Sequence, residues 1–284
     1  MTATQDKSKK RRRRGRRRRP RFTAKTADKY ELYQYAVQSP EEDVEFLTRV
    51  YRKLRGRKPR HLREDFCGTA LLCSHWIQQG KKYTAEGFDI DPEPVAWGQE
   101  HNFAPLGDVA SRARIQLKDA REPSETAPDV RCAHNFSYCL FKERSELLHY
   151  FRCAWSDLAE NGIFSVDIHG GPESMEEMEE VREIEEGFDY VWDQDNYWPA
   201  TADYRCYIHF RFQDGSEMKR AFTYDWRLWT LPELVDILYD AGFSQVDSYW
   251  EGTDEDGESG DGHFEKDDRG ENCLSWISYI IAQK

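Results

Sequence analysis

Between residues 61 and 170, apolar runs with strand periodicity alternate with amphipathic runs of helical periodicity, and that alternation leaves few folds open. Residues 61–66 (HLREDF), 83–91 (YTAEGFDID), 113–120 (ARIQLKDA), 129–137 (DVRCAHNFS) and 162–170 (GIFSVDIHG) read as strands. Residues 69–80, 92–102 and 144–162 read as helices, the second opened by Pro92 and the third ended by Asn161-Gly162. Strands and helices taken in turn imply a parallel sheet with helices on both faces.

After Gly171 the rhythm breaks. An acidic stretch, MEEMEEVREIEEG, is expected to be helical, and two alternating runs follow around the turn Gln213-Asp214-Gly215-Ser216, a strong hairpin signal. Residues of about 171–228 are therefore expected to form an antiparallel cap insertion over the carboxyl edge of the sheet. The core resumes with a helix over 231–243, opened by the capping box Thr230/Glu233. Two more strands follow, separated by a polar, Gly-rich loop over 252–272. Before the core, residues 28–58 read as two helical pieces divided at Ser39-Pro40 that flank the main domain, residues 59–284.

Charge divides the chain. Its net charge is −12, yet residues 1–30 hold fourteen Lys or Arg against Asp6 and Asp28, or +12, which leaves −24 on the remainder. An acidic body repels phosphate backbones at long range. Residues 1–27, with eight Arg between Arg11 and Arg19, are expected to be disordered through self-repulsion; they can bind nucleic acid or an acidic partner, or remain a solvated arm. The aromatic content of 14% marks the rest as folded. No apolar run reaches the roughly 18–20 residues of a membrane span, and no apolar core follows the basic start as in a signal peptide, so a cytoplasmic protein without a membrane partner is expected. The seven cysteines include no C-x-x-C pair, and the eight His are isolated, so reduced thiols and no metal site are expected.

In an open α/β sheet the ligand lies beyond the carboxyl ends of the strands, where strand order reverses. The loop after the first strand offers Gly68 for a close turn, with Cys67, Gly68 and Thr69 presenting backbone N–H groups at a helix start, where an anionic carboxylate is favoured. The second strand ends at Asp89, followed by Ile90, and an acid at this place can accept both hydroxyls of a ribose. Asp119-Ala120 ends the third strand, placed to meet an adenine amino group. Asn135, Phe136 and Tyr138 end the fourth.

REDFCGTA followed by GFDID, KDA and HNFSYCLF resembles motifs I to IV of the class I S-adenosylmethionine-dependent methyltransferases, over residues of about 60–170 and 228–284. The resemblance implies a Rossmann-like, doubly wound, mostly parallel seven-stranded sheet, S-adenosylmethionine as cofactor, and methyl transfer to an acceptor. It places Glu64 at the acid near the methionine amino group, with Asp65 competing for that contact. Asp89 falls on the ribose-binding acid, Asp119 on the adenine-edge acid, and Asn135 on the residue whose backbone lies near the transferred methyl. Phe66 and Ala70 stand where the family's motif has its first and last glycines.

Methyl transfer from a sulfonium needs chiefly a held geometry between acceptor and methyl. Aromatic faces can hold the cationic groups involved; Tyr30 and Tyr33 before the core are expected to contribute to the cofactor site. His169 at the end of the fifth strand, Tyr138, and Arg205 on the cap are the expected catalytic residues, oriented toward a small-molecule acceptor such as an amine. Two other functions compete. A nucleic-acid or ribosomal methyltransferase would use the basic arm, and a degenerate, non-catalytic nucleoside-binding protein would explain the missing glycines.

Overall fold

The computed structural model of the chain describes residues 21–253 and 260–284. Residues 1–20, and with them the whole Arg11–Arg19 stretch and its expected disorder and partners, lie outside the described residues. Residues 21–27 are packed, which shortens the expected tail: Phe22 is buried edge-on to Phe188, and Ala24 donates its N–H to Ser216 Oγ.

Two helices precede the core, α1 (Lys29–Val37) and α2 (Pro40–Arg55), meeting at Ser39-Pro40. Far from merely flanking the core, α2 buries Val44, Phe46, Leu47, Val50 and Tyr51 against the main sheet. The alternating region then gives β1 (His61–Asp65), α3 (Leu71–Gln78), β2 (Thr84–Asp89), α4 (Pro92–Gly98), β3 (Ala113–Leu117), β4 (Val130–Ala133), α5 (Arg144–Asp157) and β5 (Ile163–Gly170). The cap is a separate four-stranded antiparallel sheet, β6 (Met178–Ile184), β7 (Phe188–Trp198), β8 (Asp203–Phe212) and β9 (Glu217–Arg227), in that order. The chain returns through α6 (Leu231–Ala241), with Thr230 and Glu233 forming the expected capping box, to β10 (Gln245–Thr253), β11 (Gly260–Lys266) and β12 (Trp276–Gln283).

The main sheet runs β11-β10-β12-β5-β4-β1-β2-β3, with β1 to β5 parallel and β12 antiparallel to β5. This is the doubly wound α/β sheet expected, with one strand more than seven. The addition is β11, inside the stretch read as a loop; it is an exposed edge strand, and an edge strand of charged residues carries no apolar alternation to reveal it.

The acidic segment read as a helix is instead β6. Met and Glu favour helices in isolation, but β6 pairs with β7 from Met178↔Gln194 to Ile184↔Phe188, and an edge strand tolerates charge. Period two sets the faces of the cap: Glu180, Trp192 and Ile208 stand opposite one another and turn toward the main sheet, as do Gln194 and Tyr224.

Strand order reverses between β1 and β4, because the chain builds outward through β2 and β3 before returning to the other side of β1. The site must therefore lie above the carboxyl ends of β1 and β4.

Candidate active site

All five residues of β1 are buried although Arg63, Glu64 and Asp65 are charged. Successive side chains of a strand point to opposite faces, so the two acids meet different surroundings. Asp65 turns to the α5 side, where Arg63 Nε donates to Oδ1 at 2.8 Å, and Arg131 Nε and the Tyr150 hydroxyl donate to Oδ2 at 2.7 Å each. Asp65 is thus fully engaged in a buried ionic network that also includes Asp157.

Glu64 turns to the α3 side. Its Oε2 accepts the Cys73 N–H at 3.1 Å in the first turn of α3, and among the described residues it forms no ion pair. Burial pushes its carboxyl up to about 7. A buried acid whose charge lacks a partner is suited to receive a cation.

The loop after β1 keeps a glycine-like path without all the glycines. Phe66, Gly68 and Ala70 have φ of 54°, 51° and 52°, so the two non-glycine residues occupy left-handed conformations at a cost of roughly 1–2 kcal/mol each. Phe66 is held there by its ring, which packs against Phe141 and Tyr150. The N–H groups expected to face a ligand are partly taken: Cys67 donates to Phe88 O at 3.0 Å and Gly68 to Asp89 Oδ2 at 2.7 Å. Cys67 is buried, with its thiol pushed well up by burial. Thr69 accepts from Gln34 Nε2 through its hydroxyl and from Asn102 Nδ2 through its carbonyl. Gly98 allows α4 to press on this loop, since a Cβ there would lie 2.1 Å from the Thr69 carbonyl oxygen.

Asp89 ends β2 with Oδ1 accepting the Asp91 N–H at 2.9 Å, and burial raises its carboxyl above the usual range. Beside it, Ile90 is 74% exposed, and Leu117, paired with Asp89 across the ladder, is 58% exposed. Two bare aliphatic side chains at neighbouring strand ends offer apolar faces to a flat ring. Asp119 is less free than expected: Arg121 Nε and Nη2 hold its two oxygens at 2.8 and 2.6 Å, and that guanidinium keeps its carboxyl low. The Ala120 carbonyl is likewise occupied, by Arg63 and Arg131.

At the end of β4, Asn135 and Phe136 both take positive φ, 58° and 56°. Asp167 holds this turn, accepting the N–H of Asn135 at 2.6 Å and of Phe136 at 2.9 Å. Burial pushes Asp167 up to about 6, with His134 acting against the shift. His134 in turn lies 3.2 Å from Asp43 of α2, whose charge raises its pKa against the effect of burial. Asp43 and Asp167 escaped the sequence reading. The only signal for Asp167 was its place in the VDIHG strand end, and Asp43 lies on a helix whose packing no local pattern reveals.

Above Asp43, His134, Asn135, Phe136 and Asp167 lies a cavity of about 550 Å³, roofed by the inner face of the cap; Glu64, Cys67, Gly68, Thr69, Asp89, Ile90, Asp119 and Ala120 do not line it. His169 and Tyr33 line it. His169 Nε2 lies 2.7 Å from the Tyr204 hydroxyl, its ring packs on Phe136, and burial lowers its pKa to about 4, so the imidazole is neutral. Tyr30 does not line the cavity; it is buried between Trp97 and Phe222, tying α1 to both α4 and the cap. A second depression, between α2 and the end of α3, lies at the amino ends of the strands, away from the switch point.

Two expected catalytic residues do not reach this cavity. Tyr138 is fully buried, and its hydroxyl donates to the Asp167 carbonyl at 2.7 Å, so it is a core residue. Arg205 follows the inward Tyr204 on β8 and so turns to the outer face of the cap, 3.6 Å from Asp225. His209 also faces outward, 3.0 Å from Asp193 through Nε2, with Nδ1 accepting the Arg220 N–H. Tyr138→Phe is expected to lower stability by about 1 kcal/mol through the lost hydrogen bond. Turnover should survive both this change and Arg205→Ala within about twofold, checked by initial rates beside a urea titration.

No family model matches the sequence, and no curated protein matches it significantly. Solved structures do match its fold. A S-adenosylmethionine-dependent methyltransferase from Clostridium acetobutylicum ATCC 824 superposes with a TM-score of 0.64 at 15% identity, covering 89% of this chain and 96% of that one. CalS10, an amino pentose methyltransferase from Micromonospora echinaspora solved with SAM bound, gives 0.64 at 15% identity, covering 90% and 97%. The sugar N-methyltransferase KedS8 from Streptoalloteichus sp ATCC 53650 gives 0.59 at 16% identity, covering 100% and 99%. The chain therefore has the fold of the S-adenosylmethionine-dependent methyltransferases.

Proposed function

We propose that the chain transfers a methyl group from S-adenosylmethionine to a small molecule seated beneath the cap. The observation that carries this reading is the pair of strand-end acids: Glu64, buried and without an ionic partner among the described residues, and Asp89 on the neighbouring strand beside exposed Ile90 and Leu117. The residues fit the cofactor. Glu64 is suited to an ammonium, Asp89 to ribose hydroxyls, and Ile90 with Leu117 to the faces of a purine, while Asp119 has only lone pairs left over from Arg121 for an adenine amino group.

When bound, S-adenosylmethionine supplies an electrophilic methyl on a positively charged sulfur. The chain's own contribution is positioning. Asp167 fixes the Asn135-Phe136 turn, and Phe136 and Tyr204 fix the His169 ring at the wall of the cavity. A neutral His169 can accept a hydrogen bond from an acceptor N–H or O–H and orient its lone pair. Two enzymes of like fold are named for amine-bearing or nitrogen-methylated sugars, which favours an amine acceptor.

The rival readings lose support here. The cavity carries carboxylates where a phosphate backbone would need cations. The altered loop keeps positive φ at positions 66, 68 and 70, so the missing glycines do not amount to a degenerate loop. Titration calorimetry with S-adenosylmethionine and S-adenosylhomocysteine, with NAD and ATP as controls, tests the reading. Binding of the first two alone is expected, weakened about 10- to 100-fold in Asp89→Ala through the lost charged hydrogen bonds. Equal binding of NAD, or none of the four binding to folded protein, would refute it.

A further inference from the structure

Among the described residues, six carboxylates line the cavity: Glu42, Asp43, Asp167, Glu173, Glu180 and Glu251. Arg182 is the sole Lys or Arg among the described lining residues, and it donates to the Ala36 carbonyl and lies over the Tyr190 ring at 4.7 Å. The carboxylates divide by position. Asp43 and Asp167 sit at the floor, held by His134, Tyr279 and the Asn135-Phe136 backbone. Glu173 and Glu180 belong to the cap side, and among the described residues neither forms an ion pair. Glu180 stands opposite Trp192, whose ring packs on Tyr224 and Trp226 at 5.7 and 6.2 Å, so the acids border an aromatic wall.

This inference rests on the proposed methyl transfer and names its substrate class. We propose that the acceptor carries at least two amino groups and neither phosphate nor carboxylate, with one amine reacting beside Phe136 and His169 and a second, protonated amine held by Glu173 and Glu180 against the aromatic wall. A single amine would leave the cap-side acids without a cation, and an anionic acceptor would meet six carboxylates against the one guanidinium of Arg182 among the described lining residues. Aromatic faces bordered by carboxylates select ammonium groups through both charge and cation–π attraction. The second charge also serves the chemistry. A protonated amine nearby, together with the sulfonium, lowers the pKa of the reacting amine, because like charges disfavour its protonated form.

In the transfer, the neutral amine nitrogen forms the new C–N bond with its lone pair while the methyl–sulfur bond breaks and its electrons return to sulfur as a neutral thioether. The methylated nitrogen then releases its extra proton to water or to Asp167 at the cavity floor.

The test uses the full chain saturated with S-adenosylhomocysteine, titrated with diaminobutane, spermidine, butylamine and glucosamine phosphate at pH 8 and low salt. Diaminobutane and spermidine are expected to bind at least about tenfold tighter than butylamine and to weaken with added salt. Glu173→Gln and Glu180→Gln should each reduce that preference several-fold while binding of S-adenosylhomocysteine stays unchanged. The inference is overturned if butylamine or glucosamine phosphate binds as tightly as the diamine, or if no polyamine binds the loaded protein. Failure of S-adenosylhomocysteine itself to bind would instead sink the methyltransferase reading, and that arm is measured first.

Discussion

Asp65→Ala is expected to destabilise the fold by about 3–5 kcal/mol, the range for breaking a buried ion pair by removing one partner. Arg63 and Arg131 are both fully buried, and each donates to the Asp65 carboxylate. Without it, two guanidiniums face a single remaining acid, Asp157, at 3.4 and 3.1 Å, and the Tyr150 hydroxyl loses its acceptor. The same two guanidiniums grip the Ala120 carbonyl, so the loop after β3 should loosen as well. Urea denaturation measures the loss as a lower midpoint at unchanged slope. A loss under about 1 kcal/mol would show that water or side-chain rearrangement compensates for the network.

Glu64→Gln, one residue earlier, should do the opposite to stability and far more to ligand binding. Burial raises Glu64 to about 7 and Asp167 to about 6, so the folded chain holds these protons more tightly than the unfolded chain does. Such groups favour the fold at acid pH, and the advantage fades as pH rises from the ordinary carboxylate range through about 7. Removing the Glu64 charge should therefore raise ligand-free stability at pH 8 by up to about 3 kcal/mol, and by little at pH 5. Binding moves the other way. In the wild type, affinity for S-adenosylhomocysteine should rise from pH 6 to pH 8 as Glu64 ionises to meet the ligand's ammonium. The Gln variant should lose about 2–5 kcal/mol of that affinity at pH 8, together with most of its pH dependence. Calorimetry at the two pH values decides it: binding within threefold of the wild type at pH 8 would remove Glu64 from the ammonium contact.

These two neighbouring acids show where sequence reasoning runs out. The motif REDFCGTA left Glu64 and Asp65 as competitors for one role. Alternation along a strand guarantees that they face opposite ways, but only the packing of α3 on one side and α5 on the other decides which acid meets which environment. The same holds for the cap. Arg205 and His209 share a face of β8 opposite to Tyr204, and which face looks inward depends on how the cap sheet lies over β5. Tyr138 was legible as a strand-end aromatic, whereas its burial beneath Asp167 was not.

Local physics sufficed for much of the rest. The alternating periodicities fixed the order of β1 to β5 and their helices, because each element must bury its own apolar face. Turn chemistry at Asp214-Gly215 and the Thr230/Glu233 capping box marked the cap hairpin and the start of α6, since both act within four residues. Asp89 was legible because strand-end position follows from the strand itself. The sequence by itself thus determined the doubly wound sheet and the edge at which a ligand lies. Tertiary structure alone decided that MEEMEEVREIEEG pairs as an edge strand, that Asp43 and Asp167 belong to the cavity, and which acid of β1 forms no ion pair among the described residues. Each of those outcomes depends on contacts between residues distant in the chain, and no local periodicity encodes them.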